Sequence, residues 1–370
     1  MKKIFAVIFL ILIVGLAGYL IFSREKGVKQ ANNAEGFYQA EFYDKLSNGM
    51  VQCGLCPNRC ILAKEQIGLC KARKNIDGEL YSLNYGNVAA QHVDPIEKKP
   101  FFHFLPGADA YSISTTGCNM RCSFCQNWNI SQVFPWEVQT TKMTPEQVVD
   151  DALNNGSEII AFTYNEPIVY YEYVFDVAKL AHEKGLKTVI VSNGYINPEP
   201  LKALLPYIDA YKVDLKAFRE EFYQKFTGGH LAPVLETIKT IKNSGVWLEI
   251  VNLLIPGEND SEQEIRDMAR WIKENVGDDV PLHFSAFHPD YKLQNLPPMS
   301  LEGVIKAREI AMSEGLKFVY TGNVVYPEGE TTYCPNSKQI AIQRQGYMIT
   351  QNNLVDGKCP DGEIIPGIWK

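Results

Sequence analysis

The stretch GCNMRCSFCQNW, residues 117–128, contains three cysteines in the spacing Cys-x3-Cys-x2-Cys. Cys118, Cys122 and Cys125, called here the loop cysteines, can supply thiolates to three corners of an iron–sulfur cubane. A zinc site or a cluster held by protein alone usually needs four ligands. The iron without a thiolate has an open coordination site, which a chelating amino acid could occupy through its amine and carboxylate. The spacing therefore predicts a [4Fe–4S] cluster with one iron left for a small molecule.

A repeated strand–helix pattern extends on both sides of this stretch. β-rich runs alternate with amphipathic segments from about Tyr111 to Val325: YSISTTG, EIIAFTYN, KTVIVSNG, AYKVDLK, VWLEIVNLLI, PLHFSAFH and KFVYTGNV. Such a series predicts a parallel sheet, which either closes into a complete or partial barrel or opens as a doubly wound sheet. The cysteine loop directly follows the first strand, at the end of the strands where α/β barrels carry their chemistry.

The sequence TGCNMRCSFCQNW resembles the signature of the radical S-adenosylmethionine (SAM) superfamily. With the upstream CGLCPNRC and the downstream FTGGHLAPVLETIK, it is similar to the branch of the pyruvate formate-lyase-activating enzymes, and specifically to the radical SAM member of the AmmeMemoRadiSam system. The resemblance covers roughly residues 36–370. It implies an α/β fold with a partial (β/α)6 TIM-like barrel of the radical SAM type. It also implies that the open iron binds SAM, which the reduced cluster cleaves to a 5′-deoxyadenosyl radical.

The end of the second predicted strand offers candidate cofactor ligands. Glu166 can pair with the ammonium group of a bound amino acid, or it can cap a helix together with Asn165. The resemblance places this segment at the Gly-Gly-Glu-Pro loop that holds the SAM amino group, with Tyr164 and Asn165 in place of the two glycines. We predict that Asn165 and Glu166 bind the cofactor. Phe124, the aromatic residue before the third loop cysteine, joins this set.

Later strand ends extend the predicted cofactor site. Ser192 and Asn193 suit the carboxylate or the ribose of SAM, or they form a turn. Asp214 and Lys216 point to the same side of an extended strand because side chains alternate there. They form a buried ion pair or, as the resemblance implies, lie at the SAM and substrate cavity. His288 resembles the histidine that contacts the adenosine part of SAM.

Four further cysteines precede the strand–helix series, in the spacing Cys-x2-Cys-x3-Cys-x9-Cys. We call them the N-terminal cysteines: Cys53, Cys56, Cys60 and Cys70. Four thiolates on a loop-rich segment can hold zinc or an auxiliary cluster, or they can remain reduced structural thiols. The related branch carries a similar group of cysteines, and the sequence leaves these three interpretations open.

Two Cys-Pro turns occur near the C-terminus, at Cys334 and Cys359. Relatives carry a second cysteine at each turn, resembling a zinc ribbon, and here Ser337 and Gly362 replace it. Because two sulfurs rarely hold zinc tightly, we predict a degenerate ribbon without metal.

The first residues contain an uncharged apolar run from Ile4 to Phe22, long enough to span a membrane. We predict an uncleaved anchor, with a signal peptide as the alternative. Two basic residues precede the run, and three follow it closely: Lys2, Lys3, Arg24, Lys26 and Lys29. This small excess favours a cytoplasmic catalytic domain.

Size and composition fit one large catalytic domain with small appendages. The chain has 370 residues, of which 46% are hydrophobic, and a net charge of −7 without a clustered basic face, which argues against a nucleic-acid partner. The cysteine spacings indicate a reducing compartment. The predicted organisation is an anchor or signal segment, a linker, a Cys-rich region, the barrel and the ribbon-like tail, at residues 1–24, 25–35, 36–105, 106–326 and 327–370.

We therefore predict an oxidoreductase that cleaves SAM reductively and abstracts hydrogen from an unidentified substrate. An activating enzyme would place a glycyl radical on a partner protein. The AmmeMemoRadiSam branch would act on a small molecule or another target, together with Memo-like and AMMECR-like proteins. Either needs a low-potential electron donor such as flavodoxin or ferredoxin. A ferredoxin-like electron carrier is the non-enzyme alternative, which predicts a fourth thiolate near the cluster and no role for Glu166 or Asp214.

Overall fold

The structure is a computed structural model that describes residues 36–369. The apolar run and the linker predicted for residues 1–35 lie outside this range. The chain divides into two compact units, Met1–Gln39 and Ala40–Lys370. The described part of the first unit contains one short strand, Tyr38–Gln39. Within residues 36–369, no helix combines the length and apolar character that crossing a membrane requires.

An eight-stranded sheet forms the centre of the second unit, and neighbouring strands in the sheet are also neighbours along the chain. The first strand pairs antiparallel with the second, whereas all later pairs are parallel. The strands are β1 (Ala90–Pro95), β2 (Asp109–Ser114), β3 (Ile159–Phe162), β4 (Lys187–Ser192), β5 (Ala210–Asp214), β6 (Trp247–Leu254), β7 (Leu282–Ala286) and β8 (Val319–Gly322).

One long helix connects each pair of consecutive parallel strands. These helices are α1 (Pro145–Asn154), α2 (Tyr171–Glu183), α3 (Pro198–Leu204), α4 (Leu231–Ser244), α5 (Glu262–Asn275) and α6 (Leu301–Ser313). Because right-handed crossovers that always advance in one direction put every helix on one face, the sheet curves with its other face inside. The edge strands β1 and β8 do not pair with each other in the described sheet. The partial (β/α)6 barrel expected from the sequence is confirmed.

Local sequence explains where these helices begin. Thr144 precedes Pro145 and accepts a hydrogen bond from the backbone of Gln147, whose side chain bonds back to Thr144. This is a capping box with proline at the first helical position. Ser300 caps α6 in the same way by accepting from the backbone of Gly303. Both caps stabilise helices on the outside of the barrel.

Alternating side chains separate the two faces of the sheet. On the inner face, Ala161 lies in register between Ser112 and Val189. Small and apolar inner residues near the N-terminal ends of the strands pack against Phe101 and Phe104, from the loop between β1 and β2. This loop fills the lower part of the barrel, so the C-terminal ends of the strands are left for a site.

Shorter elements surround the barrel. The N-terminal region contains small antiparallel strands, Tyr43–Lys45, Val51–Cys53 and Ile61–Leu62, and the hairpin of Arg73–Ile76 with Glu79–Ser82. Strand Asn87–Val88 pairs with Thr141–Lys142. The remaining helical turns are Ser47–Gly49, Ile96–Lys98, Trp128–Ser131, Pro167–Tyr170, Leu205–Tyr207, Glu220–Phe222, the π-helix Tyr223–Thr227, and Pro327–Glu330.

The C-terminal tail packs against the loop that fills the barrel. It contains a three-stranded antiparallel sheet of Thr332–Tyr333, Ile340–Gln345 and Met348–Asn352. Buried Arg344 donates a hydrogen bond to the Phe102 carbonyl at 2.7 Å, and its guanidinium lies 4.2 Å from the centre of the Phe102 ring. These contacts attach the tail to the barrel.

A disulfide joins Cys334 and Cys359 within this tail. The sequence analysis anticipated a metal-free ribbon remnant but not this bond. The two cysteines are 25 residues apart, and no short spacing marks them as partners. The Asp361 carboxylate lies within 4.8 Å of both sulfurs.

Candidate active site

A cavity of about 450 Å³ opens at the C-terminal ends of the strands. Ten of the eleven predicted site residues line it: Cys118, Cys122, Phe124, Cys125, Asn165, Glu166, Ser192, Asn193, Asp214 and Lys216. His288 is exposed and does not belong to the lining. The structure therefore brings together residues from the ends of four successive strands, as barrel geometry predicts.

Backbone contacts fix the loop that carries the cysteines. Gly117 has φ +91°, and a Cβ there would collide with the Cys70 carbonyl oxygen, so only glycine fits. Further along, the Arg121 N–H donates to the Thr227 carbonyl at 2.7 Å. The Asn119 side chain donates to the backbone of Tyr195 at 2.7 Å. The loop cysteines are thus held at fixed positions on the cavity wall.

Glu166 is buried at the centre of a hydrogen-bond network. Its Oε1 accepts from the Ser192 hydroxyl at 2.7 Å and from the Ile168 N–H at 3.2 Å, and its Oε2 accepts from the Asn193 N–H at 2.9 Å. Burial raises the pKa of Glu166 to about 7, against the hydrogen bonds from Asn193 and Ser192, which lower it. Ser192 and Asn193 contact the carboxylate directly, and Glu166 also caps the helical turn Pro167–Tyr170.

Tyr164, which stands where the resembled pattern has a glycine, adopts a backbone conformation that glycine favours. Its φ is +67°, in the left-handed region that a bulky side chain rarely adopts. Asn127 donates to its carbonyl at 2.8 Å. The neighbouring Asn165 donates to the Gly117 carbonyl at 3.0 Å, and its buried Oδ1 has no hydrogen-bond partner among residues 36–369. This amide oxygen is available to a ligand in the cavity.

Asp214 lies between two lysines on the cavity wall. Its carboxylate is 2.6 Å from the Lys212 ammonium and 2.8 Å from the Lys216 ammonium. Burial works to raise the pKa of the Asp214 carboxyl, but the two lysines outweigh it and hold that pKa below its usual range. The buried ion pair and the cavity position, which the sequence analysis treated as alternatives, therefore occur together.

Three lysines of the cavity were not predicted from the sequence. Lys98, Lys99 and Lys212 all line it. Lys98 and Lys99 donate to Asp94 at 2.8 and 2.7 Å, and the Tyr164 hydroxyl donates to the same carboxylate at 2.6 Å. Burial lowers the pKa of Lys99 to about 8. Only Lys212 had a detectable signal, because it alternates with Asp214 on one strand.

The donor set of the cavity fits a cluster with one open iron. Among the described residues that line it, three are cysteines and no fourth thiolate is present. A ferredoxin-like carrier would need that fourth thiolate. The buried carboxylate of Glu166 and the free amide oxygen of Asn165 provide acceptors for an ammonium group in the same space. The lining thus suits a cluster and an amino-acid cofactor together.

Comparison with known proteins agrees with this geometry. Residues 112–272 match the radical SAM superfamily. Uncharacterized protein MJ0808 of Methanocaldococcus jannaschii is 45% identical over 306 residues, which are 83% of this chain and 91% of that protein. The pyruvate formate-lyase-activating enzyme of Clostridium pasteurianum is 27% identical over 201 residues, 50% of this chain and 83% of that enzyme. The chain belongs to the radical SAM superfamily.

A solved structure of an activating-enzyme domain matches a smaller part of the chain. It is a domain of the pyruvate-formate lyase-activating enzyme from Bacteroides vulgatus, with 19% identity, a TM-score of 0.38, and coverage of 44% of this chain and 98% of that domain. As a member of the superfamily, the protein is an enzyme that uses a [4Fe–4S] cluster and SAM for radical chemistry, and it is similar to the pyruvate formate-lyase-activating enzymes.

Proposed function

We propose that the protein abstracts a hydrogen atom from a negatively charged substrate and that the loop cysteines hold the cluster. The observation that supports this is one cavity lined by three cysteines, a buried carboxylate and an excess of lysines. When bound, the cluster and SAM supply the electron and the radical that removes hydrogen. Phe124, almost fully buried beside two of the cysteines, shields this part of the cavity from water.

In this proposal Glu166 and Asn165 bind the ammonium group of SAM. Glu166 offers a carboxylate whose orientation is already fixed by Ser192 and Asn193, so little conformational freedom is lost on binding. Asn165 offers its free amide oxygen. Ser192 and Asn193 therefore serve as positioning residues for Glu166, in place of the direct contacts to the SAM carboxylate or ribose predicted from the sequence.

The charge of the cavity supports an anionic substrate. Four lysines line it, whereas the carboxylates paired with them number two: Lys98, Lys99, Lys212 and Lys216 with Asp94 and Asp214. With Glu166 assigned to the SAM ammonium, the lysines exceed their paired carboxylates by two positive charges, and a [4Fe–4S]2+ core on three thiolates would carry one negative charge that offsets part of this excess. Buried ammonium groups are costly without a counter-charge, so a carboxylate or phosphate group on the substrate would be stabilised here.

A second candidate function is the activation of a glycyl radical enzyme. It rests on the similarity to a pyruvate formate-lyase-activating enzyme. A glycine within a polypeptide brings no negative charge, so the lysine-rich cavity favours the anionic small molecule. An AmmeMemoRadiSam role with Memo-like and AMMECR-like proteins is a further form of the small-molecule proposal. Each of these proposed functions needs a low-potential electron donor, such as flavodoxin or ferredoxin, to reduce the cluster.

The experiment uses deuterium transfer. Reconstituted protein lacking residues 1–35 is incubated with SAM, dithionite and a deuterated small-molecule extract that has been separated on an anion exchanger. We expect deuterium in 5′-deoxyadenosine only with the fraction that binds the exchanger. Transfer only from the unbound fraction would contradict the charge assignment. Transfer only from a deuterated glycyl radical protein would support the activating function instead.

Two further proposals concern the rest of the chain. We propose that the N-terminal cysteines bind a metal centre, zinc or an auxiliary cluster. We also propose that residues 4–22 anchor the protein to a membrane, with the catalytic domain on the cytoplasmic side, where low-potential donors are available. Protease added to intact spheroplasts should then leave the catalytic domain uncut, and digestion from outside would contradict this orientation.

A further inference from the structure

The four N-terminal cysteines surround a second cavity, separate from the active site. All four line it, and none of them forms a disulfide. Backbone hydrogen bonds set their positions: the Cys53 N–H donates to the Cys60 carbonyl at 2.9 Å, and the Gly68 N–H donates to the Arg73 carbonyl at 2.8 Å, next to Cys70. Cysteines up to 17 positions apart in sequence thus converge on one small space.

The spread of the sulfurs separates the two kinds of metal centre. In a tetrahedral zinc site with Zn–S distances of about 2.3 Å, neighbouring sulfurs lie roughly 3.8 Å apart. Among the described residues, no three sulfurs of the N-terminal set lie mutually within 4.8 Å. Thiolates of a cubane bind different irons at its corners and must be farther apart than ligands of a single ion. The lack of such a close trio among these sulfurs is the arrangement expected of cubane ligands rather than of ligands to one zinc ion.

The loop cysteines provide an internal comparison. Their three sulfurs also fail to come within 4.8 Å of one another, although this set belongs to the radical SAM cluster motif. Cys334 and Cys359 do lie that close together, but a disulfide joins them. The N-terminal cysteines thus share the wide spacing of the loop cysteines.

Arg73 gives independent evidence for an acceptor in the second cavity. Its side chain is 1% exposed and lines the cavity. One guanidinium nitrogen pairs with Glu172 at 2.5 Å and another donates to the Glu41 carbonyl at 3.0 Å, but Nε has no partner among residues 36–369. A buried donor without an acceptor destabilises the folded state. A sulfur of a negatively charged cluster would accept this N–H.

The rest of the lining is suited to a cluster shielded from water. Leu55, Leu62, Ile168 and Val169 provide apolar walls. Such a shell lowers the local dielectric and limits solvent access, both of which affect the potential of an iron–sulfur centre.

We propose that the N-terminal cysteines hold a second [4Fe–4S] cluster, fully ligated by protein, to which the Arg73 Nε–H donates a hydrogen bond. This deepens the proposal of a metal centre at these cysteines and does not depend on SAM cleavage. The second cavity adjoins the loop that carries the loop cysteines. Cys70 packs against Gly117, and Asn119, which follows Cys118 in the chain, lines the second cavity. With no open iron, the second cluster cannot bind SAM.

The test removes the first cluster and analyses what is left. The triple variant Cys118→Ala, Cys122→Ala, Cys125→Ala is reconstituted anaerobically with iron and sulfide in the presence of zinc. We expect about four irons and four sulfides per chain, and after reduction an electron paramagnetic resonance signal that SAM does not change. One zinc without sulfide, or a folded protein without metal, would overturn the proposal.

Wild-type protein provides a second measurement that does not depend on the folding of the variant. It should contain about eight irons, with only one of two spectral components changed by SAM. Four irons together with one zinc would refute the second cluster. The variant Arg73→Lys should shift the SAM-insensitive component and leave the SAM-sensitive one in place. The variant Cys334→Ser, Cys359→Ser is the matched control and should keep the iron content of the wild type.

Discussion

The hydroxyl of Ser192 donates a hydrogen bond to Glu166, with the two oxygens 2.7 Å apart. The Asn193 N–H donates to the other carboxylate oxygen at 2.9 Å. Both bonds come from neighbouring residues of the protein itself, and together they fix the orientation of the carboxylate. This arrangement separates two properties that mutation can test: the charge of Glu166 and its orientation.

The variant Glu166→Ala should weaken SAM binding by about 1–3 kcal/mol, because a charge-assisted hydrogen bond to the ammonium is lost. Cluster content should stay constant, since Glu166 is not a thiolate ligand. Calorimetric titration of SAM into the reconstituted protein measures the change. Ser192→Ala is the control for orientation and should cost less. Unchanged affinity in Glu166→Ala would show that the ammonium binds elsewhere.

The variant Lys99→Met should reduce deuterium transfer from the anionic fraction roughly tenfold, equivalent to about 1.4 kcal/mol, because a buried positive charge facing the substrate is lost. The effect should appear as a higher KM rather than a lower kcat. Lys306→Met is the matched control, since Lys306 is exposed and pairs with Glu262 on the outside of the protein. Equal transfer rates in the two variants would remove Lys99 from the substrate site.

Stability should depend on pH through His103. Burial lowers the pKa of this histidine to about 4, whereas its unfolded pKa is about 6.5. The unfolded state therefore binds a proton first as the pH falls, and stability is lost between these values. From pH 7.5 to 5.5 the loss contributed by His103 should be about 1 kcal/mol, measured by urea unfolding as the difference between the wild type and His103→Gln, because Glu166, whose pKa burial raises to about 7, acts in the opposite direction in both proteins. The loss of stability contributed by His103 should vanish in His103→Gln and persist in the exposed control His230→Gln. An equal loss in His103→Gln and in the wild type would contradict this assignment.

The backbone at Tyr164 can be tested by comparing two substitutions. Tyr164→Gly should keep SAM affinity within about threefold, because glycine adopts a φ of +67° without strain. Tyr164→Val should lose more than tenfold, because a β-branched residue resists this region and shifts the loop before Glu166. If valine were tolerated as well as glycine, the conformation of the loop would not matter for binding.

The sequence was sufficient to predict the barrel and most of its site, because both depend on local patterns. Alternation and strand ends are visible within a few residues, which is why Glu166 and Asp214 could be assigned to one edge of the sheet. His288 also follows its strand, yet it is exposed and outside the cavity lining. Position after a strand thus predicts the region but not the direction of a side chain.

Contacts between distant segments could not be predicted. Lys99 reaches the cavity from a segment before the first parallel strand, and the Cys334–Cys359 bond closes a loop without a short motif. Buried Glu249 on β6 joins the backbone of His103 to the side chain of His283 on the neighbouring strand β7. Such pairs have no sequence spacing that marks them. The predicted domain boundaries and the membrane segment stay predictions.

Tyr164 has a consequence for how relatives of this protein are found. The resembled pattern has two glycines before the glutamate, whereas this loop has an aromatic residue there that itself adopts a left-handed φ of +67°. Its hydroxyl contact with Asp94 and its carbonyl contact with Asn127 hold it there. A search for the two-glycine sequence motif would miss chains with a tyrosine at this position, whereas a search by backbone torsion angle would find them. The informative character at this position is therefore a torsion angle rather than an amino acid.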